Sequence, residues 1–198
     1  MNNCLYLGCD PDLRTLNCAL LTCDKIPLAI FLRRNKSKRT GDGAVADAVK
    51  VAGLLADDVL AFLVKNEQYQ NRPIVLIAES QSMERARRER EENHRKVSPQ
   101  DILHTGQITG VLMGVFGCMA ERIYLLQPMT WKKGVKKPVH HHRILTHLNL
   151  PYKKLTSTKY PECYEVLSQY SGNRINPGDF EDINDSLGLA LYGAENNL

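Results

Sequence analysis

Apolar positions along the chain follow two periods. Cys4 to Asp10, Thr15 to Cys23 and Pro27 to Leu32 are short apolar runs separated by Pro11-Asp12 and Asp24-Lys25, a pattern that predicts three consecutive antiparallel strands. From Ala44 to about Gln70 the period lengthens. Val45, Ala48, Val49, Ala52, Leu55, Ala56, Val59 and Phe62 recur at three and four residues, as an amphipathic helix requires, and Pro73 closes the segment. The run IVLIAES, Ile74 to Ser80, is too short for a helix and rich in β-branched residues, which suits a buried parallel strand reached by a crossover. Acids and bases alternate from Glu84 to Lys96, and Ser98-Pro99-Gln100-Asp101 caps a second long helix reaching Met119. Arg122 to Gln127 is the fifth strand. Helices are expected after Pro138, from Glu162 to Tyr170, and from Asp182 to about Glu195 beyond Pro177-Gly178. The order predicts an α/β fold: a five-stranded mixed sheet, its first three strands antiparallel, flanked by helices.

A chain of 198 residues that is 43% hydrophobic can bury one good core and not two large ones, so residues 1–198 are expected to form a single domain. No opening segment resembles a signal peptide and no apolar run approaches the roughly 20 residues of a membrane span, so a cytoplasmic protein with reduced thiols and no membrane partner is expected. Cys4/Cys9 and Cys18/Cys23 share one spacing and suggest a zinc cluster. In strands, however, residues five apart point to opposite faces, so neither pair can hold one ion; buried free thiols are expected instead.

The net charge is only +4, but it is unevenly distributed. Between Glu121 and Glu162 there is no acid, while Arg122, Lys132, Lys133, Lys136, Lys137, Arg143, Lys153, Lys154 and Lys159 supply nine positive charges. From Glu162 onward the sign reverses, with only Arg174 against seven acids. A second basic cluster, Arg33, Arg34, Lys36, Lys38 and Arg39, falls in a loop-like segment ending Gly41-Asp42-Gly43. Either run reads as a solvated face or as a surface for a polyanion. His140, His141 and His142 adjoin the basic segment without metal-ligand spacing and read as surface or phosphate contacts.

Four carboxylates attract attention. Asp10 ends the first strand and Glu79 the fourth, and carboxyl ends of strands are where open α/β sheets build sites. Asp182 and Asp185, three apart in EDINDSLGLAL, project from one face of a helical turn. Asp185 interrupts the stripe of Ile183, Leu187, Leu189, Ala190 and Leu191, where a lone buried charge would be costly. Singly, each acid has an ordinary explanation as a turn former, a strand-end charge or a helix-terminus charge. Together they would repel one another unless divalent cations, magnesium or manganese by their hard oxygen ligands, kept them ionised.

These residues resemble the RuvC-like Holliday-junction resolvases of the RNase H-like superfamily, especially their short phage and viral members. LGCDPDLRTLNCALL is similar to the family's first-strand motif and IVLIAES to its second. LLQPMTWKKGVKK resembles the segment in which a strand ends in proline and leads to a lysine, and EDINDSLGLAL resembles the Asp-x-x-Asp-Ala/Ser-Leu helix. Asp12 stands where the family has glycine, and is expected to be an exposed turn residue. The resemblance implies an RNase H-like metal-dependent endonuclease that resolves four-way junctions by paired cuts, leaving 5′-phosphate and 3′-hydroxyl ends. Asp10, Glu79, Asp182 and Asp185 would hold two Mg2+ or Mn2+ ions per site, with Lys132, in preference to Lys133, assisting at the phosphate.

Expected DNA contacts are the basic cluster Arg33, Arg34, Lys36, Lys38 and Arg39; Met83, as a wedge after Glu79, with Arg85; Trp131; and Lys133, Lys136, Lys137 and Arg143. Gly106, Gly110 and Gly114 share one face of the second long helix. They imply either close packing within the chain or a homodimer interface, which the resemblance favours because two sites would then cut opposite strands. Competing readings are an enzyme with broader taste for flaps and forks, a junction-binding protein without chemistry, and an actin-like or sugar-kinase ATPase, which needs a second domain this chain cannot supply.

Overall fold

A computed structural model describes residues 3–12, 15–35, 42–80, 99–135, 137–150, 167–171, 175 and 179–198. The predicted cap at Ser98, the alternating charges of 84–96, residues 162–166 of the predicted helix, and Lys36, Lys38, Arg39, Met83, Arg85 and Lys136 lie outside these; residues 167–171 are helical.

The first three apolar runs form the antiparallel strands β1 (Leu5–Pro11), β2 (Thr15–Thr22) and β3 (Pro27–Arg34). The strand β4 (Ile74–Glu79) then enters parallel to β1, and β5 (Arg122–Leu126) parallel to β4, for a sheet order of β3-β2-β1-β4-β5. Every residue of β4 is buried, as its unbroken apolar run requires.

One face of the sheet carries α1 (Asp42–Lys65) and α3 (Pro99–Gly117), which cover Leu5, Leu7, Cys9 and Leu76. The other carries α4 (Pro128–Lys132), α5 (Lys137–His147) and α6 (Phe180–Asn196), over Tyr6, Val75 and Ile77. A short α2 (Glu67–Gln70) follows α1. The single helix expected to about Gln70 thus breaks at Asn66, whose side-chain amide donates to the carbonyl of Phe62 at 2.7 Å and competes with continuation of the helix.

The cysteines divide between the two faces. Cys9 lies opposite Cys18 across β1 and β2, sulfurs 2.8 Å apart, under α1 and α3, while Cys4 joins the core under α6. All of these thiols are free.

Glycine sets the height of α6 above the sheet. A Cβ on Gly8 would lie 2.5 Å from the backbone nitrogen of Ala190 and closer still to the carbonyl oxygen of Ser186. Its absence lets α6 rest directly on β1. The start of α6 is tied to the sheet by Arg34, at the end of β3, whose Nε donates to Asp179 at 3.1 Å. Arg33 and Arg34 are therefore strand residues paired with Leu16 and Thr15, not part of a loop.

Candidate active site

Side chains alternate along β1, so Tyr6, Gly8 and Asp10 share the face that α6 covers. Cys9 is level with Ala78 in the parallel β1–β4 pair, which puts Asp10 and Glu79 side by side at the ends of their strands. Because α6 sits on Gly8, its first two turns bring Asp182 and Asp185 over the same strand ends. All four acids from the sequence lie in one neighbourhood, near enough for the other three to act on Asp10.

The electrostatics record the crowding. The Asp10 carboxyl is pushed well above the ordinary range by burial and then by the charges of Asp185, Glu79 and Asp182, with Lys132 opposing. Asp182 is pushed up to about 7, by burial first and then by Asp12, Asp185 and Glu181, against Lys137. Asp185 moves the other way. Burial would raise it, but a hydrogen bond from His141 and the ammonium groups of Lys132 and Lys137 outweigh that and hold it below the usual carboxylate range.

Lys132 is the centre of this arrangement. Its Nζ lies 3.1 Å from Oε2 of Glu79 and 3.0 Å from Oδ2 of Asp185, and it rests 4.5 Å over the Trp131 ring. Lys137 Nζ is 2.9 Å from Glu181 and 3.6 Å from Asp185, and its side chain remains exposed beside the carboxylates. His141 Nε2 donates to Oδ1 of Asp185 at 3.1 Å. Both His140 and His141 are buried, which corrects their reading as surface groups. The signal was in the spacing: His140, His141, Ile144 and Leu145 form the inward stripe of α5.

The remaining candidates divide as follows. Arg33 is held in a fork by Asp58, at 2.6 Å from each oxygen, and Arg34 by Asp179. Lys133 and Arg143 are exposed, while Trp131 is only 3% exposed and edge-on to His140. Asp12 is exposed and its Oδ1 accepts from the Thr15 amide at 3.3 Å, a turn-forming role that still leaves its charge acting on Asp182. Gly106, Gly110 and Gly114 lie on an exposed face of α3, and a Cβ on any of them would meet nothing within 4 Å. Packing within the chain is thus excluded among the described residues.

The chemistry of the donor set fits divalent cations: four oxygen-bearing side chains, one carboxyl held up by burial and then by its neighbours' charges, and a lysine ammonium lodged between two of them where positive charge is favoured. Among the described residues no three of these side chains stand close enough together to hold one ion as they are, and Lys132 engages both Glu79 and Asp185.

The five-stranded mixed sheet flanked by helices is a fold already known from solved structures. Two solved structures are similar over nearly the whole chain. Thermus thermophilus RuvC matches at TM-score 0.57 and 13% identity, over 98% of this chain and 96% of that one. T. thermophilus RuvC in complex with Holliday junction substrate matches at TM-score 0.57 and 14% identity, over 96% and 92%. At such identity the likeness is one of fold. No protein-family model and no curated protein matches the sequence.

The raised Asp182 carboxyl has a measurable consequence. Its folded-state pKa exceeds the unfolded one, so without metal its contribution turns against the fold as pH rises from about 4 to about 7 and is constant above that. An Asp182→Asn protein in chelator should therefore gain stability relative to the parent over this interval in urea titrations. His140, whose pKa burial lowers to about 4, changes both proteins alike and cancels in the difference.

Proposed function

We propose that this protein is a structure-selective DNA endonuclease that resolves four-way junctions by metal-dependent phosphodiester hydrolysis, acting as a homodimer in the cytoplasm. The convergence of Asp10, Glu79, Asp182 and Asp185 on one face of a RuvC-like sheet, with Lys132 among them, carries the reading. The similar T. thermophilus RuvC, solved with a Holliday junction substrate, supports branched DNA as the substrate class.

In this reading the four carboxylates would hold two magnesium or manganese ions. When bound, such ions activate a water for in-line attack and stabilise the leaving 3′ oxygen. The chain does the rest. Asp185 is kept ionised by His141, Lys132 and Lys137, so it is ready to bind a cation without first losing a proton. Lys132 balances the negative charge of Glu79 and Asp185 before metal arrives, and afterwards offers the same charge to the phosphate. Lys133 and Arg143 extend positive potential away from the site.

A synthetic four-way junction incubated with the protein and Mg2+ should yield paired symmetrical nicks with 5′-phosphate ends, and flaps and forks run in parallel measure selectivity. No cleavage of any of the three would overturn the reading. The exposed glycine face of α3 is the proposed dimer surface, joined by Leu103, which is 60% exposed. A Gly110→Leu protein should sediment as a monomer and lose paired cutting; an unchanged dimer would remove this face from the interface.

A further inference from the structure

Next to the carboxylates, α4, α5 and α6 enclose a cavity of about 270 Å3. Lys132 belongs to both places, since it lines the cavity while its Nζ reaches Glu79 and Asp185. Trp131 and His140 form buried wall, and Lys133 and Arg143 are exposed at its mouth. Neither of those two cations pairs with a carboxylate among the described residues. The one acid lining the cavity, Glu195, is taken up by His147 at 3.3 Å and Lys25 at 3.9 Å.

Two further observations describe its wall. Trp131 Nε1 and His140 Nε2 are fully covered, so the two rings close the inner wall without presenting these nitrogens to the cavity. Gly188 lines the same cavity, and a Cβ there would lie 2.6 Å from both Trp131 and Ile144, so the walls close to their present distance only because that position has no side chain. A guanidinium and an ammonium group that meet no carboxylate among the described residues, at the mouth of a cavity that Lys132 also lines, suit phosphate.

We propose that this cavity is a subsite for a phosphodiester of the cleaved strand beside the scissile one, with Arg143 and Lys133 as its charge partners. The proposal rests on the nuclease reading above. A strand whose scissile phosphate lies at Lys132 must pass its neighbouring phosphate along one side of that residue, and this basic cavity adjoins it there.

The test uses four-way junctions that each carry one neutral methylphosphonate at a position flanking the cut, with binding measured in chelator so that no cleavage occurs. For the parent protein one flanking position should weaken binding about tenfold, the effect of removing one charge-assisted contact. A Lys133→Gln/Arg143→Gln protein should bind the unmodified junction more weakly by a similar factor and be indifferent to the methylphosphonate at that position. Both residues are exposed, and an unchanged melting temperature confirms that the variant is folded. If the losses from variant and methylphosphonate multiply at every position, the subsite is wrong. If inorganic phosphate alone raises the melting temperature through these two residues while no position shows coupling, the cavity is a free-anion site and the proposal also falls. A parent protein that neither binds nor cuts junctions instead overturns the nuclease reading, a result distinguishable because it precedes any comparison of variants.

Discussion

Asp10→Asn and Asp185→Asn proteins are both expected to lose junction cleavage by on the order of 10³-fold, yet to move in opposite directions in stability. Asp10 is held up by burial and by three neighbouring carboxylates, so without metal its charge opposes folding. Asparagine removes that charge and keeps the shape. In chelator the Asp10→Asn protein should therefore melt above the parent. Asp185 is the reverse case: it is 5% exposed, accepts from His141 and lies against the ammonium groups of Lys132 and Lys137. Removing its charge leaves the partly buried Lys132 ammonium with Glu79 alone, a loss of up to about 3 kcal/mol. Urea midpoints measured with and without Mg2+ check both, and Mg2+ should stabilise the parent far more than either variant. Equal cleavage by either variant and the parent would mean that the acids are not the metal ligands.

The second large effect is steric. Gly8→Ala places a methyl group against the backbone of Ser186 and Ala190, atoms that cannot swing aside as a flexible side chain would. The helix must lift. The cost belongs at or above the top of the roughly 1–3 kcal/mol range for overpacking, and because Asp185 and Asp182 ride on the same helix, activity should fall with it. Gly53→Ala in α1 is the matched control: a Cβ there meets nothing within 4 Å, and removing a helical glycine should stabilise by about 0.5–1 kcal/mol. Comparable melting temperatures for the two variants would remove the close seat of α6 on β1 from the account of the site.

Much of this architecture was legible in the pattern of residues. Strand-length apolar runs ending in Asp10 and Glu79 appear as β1 and β4, and the uninterrupted run of β4 anticipated its burial between two helical layers. Asp185 could be recognised as unusual because it broke an apolar stripe, and it is buried as that position demands. Less accessible was Asn66, where one side-chain hydrogen bond redirected a helix whose periodicity gave no warning. The length of β3 was also hidden, because pairing with β2 carries Arg33 and Arg34 into the sheet although their composition suggests a loop.

The charge pattern shows where local information stops. Basic residues 122–159 and the acidic stretch after Glu162 read as two independent surfaces, one for a polyanion and one for metals. Folding lays α4 and α5 beside α6, so Lys132 turns inward to Asp185 and Lys137 pairs with Glu181 and Asp185 at the rim, while Lys133 and Arg143 remain outside without such pairs among the described residues. The sequence by itself determined which side chains exist to bind cations and phosphates, and through period and punctuation it determined the strands and helices that carry them. Which lysine meets which acid, and that a histidine from α5 steadies Asp185, was decided only by the tertiary structure. Such pairings depend on the distance between elements far apart in the chain, here set by a helix resting on Gly8.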